Sequence, residues 1–316
     1  MLSQSLSAMP SLKQKDTMNM GQARKHPIES ITQTLLKPSG VAGVYGRTAL
    51  FERVLEGLSV LISRHREPET EVLRFPPVMS RQMLEKSGYL HSFPHLLGCV
   101  SCLGGSESEI RASVERNDWM GGLAATDLVL SPAACYPVYA LQADEGALRA
   151  GGRLFDVASD CFRHEATHEP GRMQSFRMRE YVCLGKPEEA ANFRARWIPR
   201  GERMAELLGL PCKIVRASDP FFGRTGKFMA LSQIEQSLKY ELLIPVNSEE
   251  EPTACMSFNY HLDHFGSTWD LRTDDGEIAH TSCVAFGMDR LVLAVFATHG
   301  LDPRAWPSLV RENLLV

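Results

Sequence analysis

The sequence predicts an α+β fold: a large antiparallel β-sheet flanked by helices. Three observations predict it. Two strand-like segments, GRLFDVASDCFRHE and SFRMREYVCLG, bracket a turn-rich loop, THEPGRMQ, and read as a long antiparallel hairpin. Three further strand-like segments follow, SLKYELLIPV, TACMSFNYHL and EIAHTSCVAFG. Amphipathic or apolar helical stretches lie before, between and after them, which is the order of a sheet with helices packed on it.

Taken in order, residues 1–25 are rich in Ser, Gln, Lys and Met and lack the apolar run of a signal peptide. They are expected to form a flexible extension, leaving 26–316 as one folded domain. Leu50, Phe51, Val54, Leu55, Leu58, Leu61 and Ile62 recur at helical spacing and predict a long helix near 47–65. EVLRFPPVM reads as a strand stopped by Pro76-Pro77, since proline ends sheet pairing or sits at an edge. Residues 106–119 predict a surface helix capped by Ser106. Ser131-Pro132 opens a helix running to about Arg149, because proline suits the first helical turn. After the hairpin, PEEAANFRARWI and RGERMAELLGL are expected as two helical pieces divided at Pro199. GMDRLVLAVFATHG closes the chain as an apolar helix ending at Gly300.

The 316 residues are 44% hydrophobic and 23% charged, with a net charge of −4. Such values exclude wholesale disorder, collagen and coiled coil. No apolar run of about 18 residues occurs, so no membrane span is expected. The acidic balance gives no bulk electrostatic reason to bind nucleic acid. The eight cysteines are scattered through apolar segments, which suits a reducing cytoplasm. Cys99-x-x-Cys102 is a close pair, but a lone C-x-x-C is a weak metal or redox signal.

Residues 164–168 spell H-E-A-T-H. On a helix, His164 and His168 would share a face and hold zinc while Glu165 polarised water. The strand-like segment before it and Glu169-Pro170-Gly171 after it argue against that helix. The alternative takes the whole stretch FRHEATHEPGRMQSFRMRE: Arg-x-Glu at a strand end, a loop with Arg172, and Phe176 on the return strand. This resembles motif 2 of class II aminoacyl-tRNA synthetases. The long helix with the strand ending at Pro76-Pro77 resembles motif 1, the dimerising element. SCVAFGMDRLVLAVF resembles motif 3, with Arg290 on the first turn of its helix. One position departs from the family: Ala285 stands where Gly is usual. The resemblance spans about residues 45–300 and implies a class II synthetase catalytic core over 26–316.

Within that class the sequence is most similar to amino acid:carrier-protein ligases, bacterial homologues of the atypical seryl-tRNA synthetases of methanogens. The resemblance implies ATP contacts at Arg163, Glu165, Arg172, Met173, Phe176, Lys239, Ala254, Ser257 and Arg290. Arg163 would hold an α-phosphate and the substrate carboxylate together, as a guanidinium fork suits both oxyanions. Glu165 would accept from the adenine amino group, Phe176 would stack on adenine, and Arg172 and Arg290 would meet the γ-phosphate. A zinc ion would be held by Cys135, Glu180 and Cys283, leaving a fourth place for the substrate amino group. Arg163 and Glu180 are thus the expected catalytic and substrate-binding pair. Glu241 is a candidate Mg2+ ligand.

The plainer alternatives are buried cysteines acting as small hydrophobes and Lys239 and Glu241 as ordinary sheet residues. The expected reaction is activation of a small amino acid, glycine first and alanine second, and transfer to the phosphopantetheine thiol of a small acidic carrier protein. Because the catalytic core consumes the chain, no transfer RNA partner is expected; a homodimer is. Arg194, Arg196, Arg200 and Arg203, with Trp197 among them, read as a basic helical face for the carrier. A seryl-type aminoacyl-tRNA synthetase and a non-catalytic paralogue are the competing readings.

Overall fold

The computed structural model describes residues 26–165 and 169–316. The elements run in chain order from α1 (Ile28–Leu35), β1 (Leu36–Pro38), β2 (Tyr45–Arg47), α2 (Ala49–Arg64), β3 (Glu71–Arg74), β4 (Val78–Ser80), α3 (Arg81–Lys86) and α4 (Tyr89–Ser92) to β5 (Cys99–Leu103), α5 (Glu107–Glu115) and β6 (Leu123–Leu130). Then come α6 (Tyr136–Glu145), β7 (Arg153–Phe162), β8 (Ser175–Gly185), α7 (Pro187–Leu207), β9 (Lys213–Arg216), α8 (Gly223–Glu235) and β10 (Lys239–Ile244). The last are β11 (Thr253–Leu262), α9 (His264–Trp269), β12 (His280–Gly287), α10 (Met288–His299) and α11 (Ser308–Leu314).

Seven strands form the main sheet in the order β3-β7-β8-β12-β11-β10-β9. All neighbours are antiparallel except β3 and β7. The predicted hairpin is β7–β8, paired from Arg153 with Leu184 to Phe162 with Ser175. β3 ends before Pro76-Pro77 at the sheet edge, where lost donors cost least. A smaller sheet, β4-β6-β5, was not foreseen from sequence. Its central strand is largely exposed, so it carries no strong apolar alternation to read.

Side chains alternate across β8. Tyr181 and Cys183 enter a core with α2, α7 and α10; Val182 and Leu184 enter a second core with α6 and α9. The helix α2 presents Phe51, Val54, Leu58, Leu61 and Ile62 to the first core, as its periodicity predicted. Gly57 on that face allows α11 to approach, since a Cβ there would collide with the Leu314 carbonyl. Between α2 and the sheet, buried Arg179 pairs with fully buried Asp156 at 2.5 Å and donates to Ser59 and Ser63.

Three helices differ from expectation. The Ser106 helix is capped as predicted, with a full capping box, but stops at Glu115. The helix after Ser131 begins only at Tyr136, because the Glu180 carboxylate takes the N–H groups of Ala134 and Cys135 at 2.9 and 3.0 Å and so terminates it. It ends before Gly146, whose φ of +88° stops the spiral. The two pieces around Pro199 are one continuous helix, α7. The local cost of an interior proline is outweighed by the burial of Phe193, Trp197 and Met204 along one face. The N-terminal extension lies outside the described residues.

Candidate active site

A cavity of about 700 Å3 opens on the α6–α9 face of the main sheet. Strand alternation delivers the residues that face it. Met178 and Glu180 project from β8 on the side opposite Arg179, and Cys283 and Ala285 do so from β12, with Ser257 and Asn259 paired beside them on β11. Every residue assigned from sequence to ATP, amino acid or metal lines this cavity except Arg172: Cys135, Arg163, Glu165, Met173, Phe176, Glu180, Lys239, Glu241, Ala254, Ser257, Cys283 and Arg290.

At the floor, Cys135 precedes α6, Glu180 is on β8 and Cys283 is on β12; all three are buried. Their side chains are hydrogen-bonding neighbours. The bond with Cys283, burial and the facing Glu180 charge push the Cys135 thiol well above its ordinary range. The Cys135 bond works the other way on Cys283, but burial and Glu180 still raise it. Burial also raises Glu180, against the bonds from both thiols and the two amides. Among the described residues, no three His, Cys, Asp or Glu side chains stand in a ready-made coordination arrangement. The zinc expectation therefore gains no metal geometry from the structure. The donor chemistry does fit: two sulfurs and a carboxylate crowd together away from water, and each resists ionising beside the others unless a cation joins them.

Around the rim, Arg163 donates from Nε to the Pro132 carbonyl at 3.0 Å and lies 5.5 Å above the Phe176 ring. Arg290 donates to the carbonyls of Gly171 and Ala254 at 2.7 and 2.8 Å, so the loop and β11 fix it where α10 begins. Asp289 beside it accepts from Arg47 and from the Arg177 amide, both at 2.6 Å, which ties α10 to the hairpin. Lys239 is buried and meets Asp219 at 2.6 Å and Glu241 at 3.1 Å. Burial opposes the Asp219 charge, but Lys239 and a bond from Gln233 outweigh it and hold the carboxyl below its ordinary range. Burial likewise opposes the charge on Lys239, and the two carboxylates outweigh it. Arg172 is half exposed, 3.6 Å from Glu165 and 3.3 Å from Glu169. Ala285 is accommodated with its methyl against Cys161 and Met178.

Other sequence signals resolve differently. His164 and Glu165 follow the end of β7 in non-helical backbone, so the protease helix is absent there; His168 lies outside the described residues. Cys99 and Cys102 are exposed free thiols on β5. Trp197 is buried against Tyr181, not presented to a partner. Arg196 and Arg200 already pair with Glu67, and Arg203 with Glu206, which removes most of the supposed basic face. Sequence reasoning missed Asp219, Tyr139, Asn259 and His261. The last two sit in SFNYHLDHFG, whose density of polar aromatics was the available signal. It also missed α8, which exposes Phe228, Met229, Leu231 and Ile234 beside the cavity mouth, with Phe222 just before it.

Residues 123–299 match the family described as the tRNA synthetase class II core domain (G, H, P, S and T). The chain is 58% identical to amino acid–(acyl-carrier-protein) ligase 1 of Bradyrhizobium diazoefficiens, over 91% of this chain and 90% of that one. It is 56% identical to ligase 2 of the same organism, over 91% and 87%. A type-2 serine–tRNA ligase of Methanopyrus kandleri is 28% identical over 84% of this chain and 54% of its own length. The solved M. kandleri seryl-tRNA synthetase, in complex with A. aeolicus tRNASec, superposes with a TM-score of 0.78 at 24% identity. That match covers 93% of this chain and 61% of the other, and it is a likeness of fold.

Proposed function

The chain belongs to the class II tRNA synthetase core family, among the amino acid–carrier-protein ligases, and on that premise we propose that it activates glycine, with alanine second, and passes it to the phosphopantetheine thiol of a small acidic carrier protein. The observation that carries this reading is one cavity with arginines at its rim and a Cys, Glu, Cys floor. In the first step the amino acid carboxylate attacks the α-phosphorus of ATP; a P–O bond forms, pyrophosphate leaves, and the aminoacyl-adenylate remains. Arg163 orients carboxylate and α-phosphate, and its stacking on Phe176 fixes the plane of the fork. Arg290, held by two carbonyls, faces the outer phosphates. Glu241, which lines the cavity beside Lys239, would contribute to holding Mg2+, which when bound with ATP would neutralise phosphate charge. Cys135, Glu180 and Cys283 would hold zinc, which when bound supplies an open coordination place for the α-amino group. In the second step the carrier thiol attacks the activated carbonyl, losing its proton; a C–S bond forms and AMP leaves.

The carrier approaches over α8. This helix combines exposed Phe228, Met229, Leu231 and Ile234 with exposed Arg224 and Lys227, a surface suited to an apolar and acidic partner. Its Phe228 and Met229 also line the cavity, so a docked carrier has a short path to the adenylate. The test is amino-acid-dependent exchange of labelled pyrophosphate into ATP, followed by thioester formation on a phosphopantetheinylated carrier. Exchange with glycine and transfer to the carrier are expected. Exchange only with serine, coupled to charging of transfer RNA, would replace this reading with the seryl-type one.

A further inference from the structure

Two side-chain nitrogens converge on a single sulfur at the cavity floor. Asn259 lies directly opposite Cys283 in the β11–β12 ladder, and its Nδ2 is 3.3 Å from Cys283 Sγ. His261, two residues on, brings Nε2 to 3.7 Å from the same sulfur. The ladder shifts register between Tyr260 and Leu262, which leaves His261 in a bulge, and Leu262 follows with φ +54°. A bulge re-aims a side chain, and a left-handed leucine is a backbone state that surrounding structure must hold in place. The other ring nitrogen, Nδ1, is 2.9 Å from the Oγ1 of Thr281, which is fully buried. A threonine hydroxyl that donates there leaves the proton on Nε2, facing sulfur.

The second sulfur has its own neighbour. Tyr139 is fully buried and stacked on Phe265 at 3.9 Å, yet its hydroxyl has no hydrogen-bond partner of good geometry among the described residues. Its electrostatic surroundings are Cys135, Cys283 and Glu180. A buried hydroxyl needs an acceptor, and the sulfur of Cys135 is the hydrogen-bonding neighbour beside it. Resting on the proposed zinc site, the structure assigns Asn259, His261 and Tyr139 as positioning residues that orient the sulfurs of Cys283 and Cys135 for a soft divalent cation. The arrangement is unequal: two nitrogens lie within reach of Cys283 Sγ and one hydroxyl neighbours Cys135.

The experiment measures zinc content and zinc affinity by chelator competition on the full chain, with Co2+ substitution to read the sulfur-to-metal charge-transfer band. His261→Phe and Asn259→Ala are each expected to weaken zinc binding about 10-fold, and the pair about 100-fold, the range for residues that orient metal ligands. Tyr139→Phe, which keeps the ring stack, is expected to weaken it a few-fold and shift the Co2+ band. His261→Gln, which restores an N–H, should recover part of the loss. If Cys283→Ala abolishes zinc binding but the double variant stays within about 3-fold of wild type, this inference is overturned and the metal site stands. Wild type without stoichiometric zinc, or Cys283→Ala with unchanged zinc, overturns the metal site and this inference together. Circular dichroism on each variant separates a lost donor from a lost fold, and Asn259→Ala, at a partly exposed position, gives the reading if His261→Phe fails to fold.

Discussion

At the cavity floor, Cys135, Glu180 and Cys283 face one another, and none is paired with lysine or arginine among the described residues. At the rim, Lys239 already touches Asp219 and Glu241, and Arg172 already touches Glu165 and Glu169. The floor has acids in want of a cation; at the rim Lys239 and Arg172 are occupied by acids, while Arg163 and Arg290 are held by backbone carbonyls. The floor is also dry and sits on the two most buried strands, while much of the rim lies on loops and half-exposed side chains. A floor of that kind is fixed before substrate arrives. On the proposed function, Lys239 and Arg172 would exchange these carboxylates for phosphates when ATP enters, so their ion pairs would set affinity more than geometry.

The hardest break of this contrast is at Arg163 and Cys283. Arg163→Ala and Cys283→Ala should each lower glycine-dependent pyrophosphate exchange on the order of a thousandfold, since each removes charge aimed at the reacting groups. An equal and small loss in both would erase the distinction between floor and rim. Support beneath the floor is tested by Asp156→Asn. This carboxylate is fully buried and satisfies Arg179, so unpairing it should cost about 3–5 kcal/mol in urea unfolding. For the helix at the mouth, Leu231→Asp should raise the carrier concentration needed for half-maximal transfer about 10-fold and leave pyrophosphate exchange nearly unchanged, as loss of one apolar anchor does.

Smaller effects sharpen the account of the rim. The folded pKa of Asp219 lies below its unfolded value, so its stabilisation is present above the unfolded value and is lost as pH falls through the folded one. Wild type should therefore lose urea resistance below the ordinary carboxylate range more steeply than Asp219→Asn. Parallel curves for the two would show that Asp219 contributes nothing to that acid limb. Least of all, Glu169→Gln should loosen an exposed pair with Arg172 and lower KM for ATP by no more than about 5-fold, an effect that fades in high salt.

The sequence alone determined the hairpin, the capping of the Ser106 helix, the inward face of α2 and the apolar helix α10, because each follows from a local period or a local cap; it missed α11, which follows α10 and packs Val310 and Leu314 into the first core. It also supplied the individual site residues through motif likeness. It could not decide whether α7 would survive Pro199, since that depends on what Phe193, Trp197 and Met204 meet across the sheet. Nor could it tell that Arg196, Arg200 and Arg203 are already paired, or that Trp197 is core. The convergence of Cys135, Glu180 and Cys283 required β8 and β12 to be neighbours with matching pleat, and the aim of Asn259 and His261 required the register and bulge of β11 on β12. Periodicity and capping act over a few residues and are written in the chain; proximity between distant strands exists only once the sheet has set their order and register.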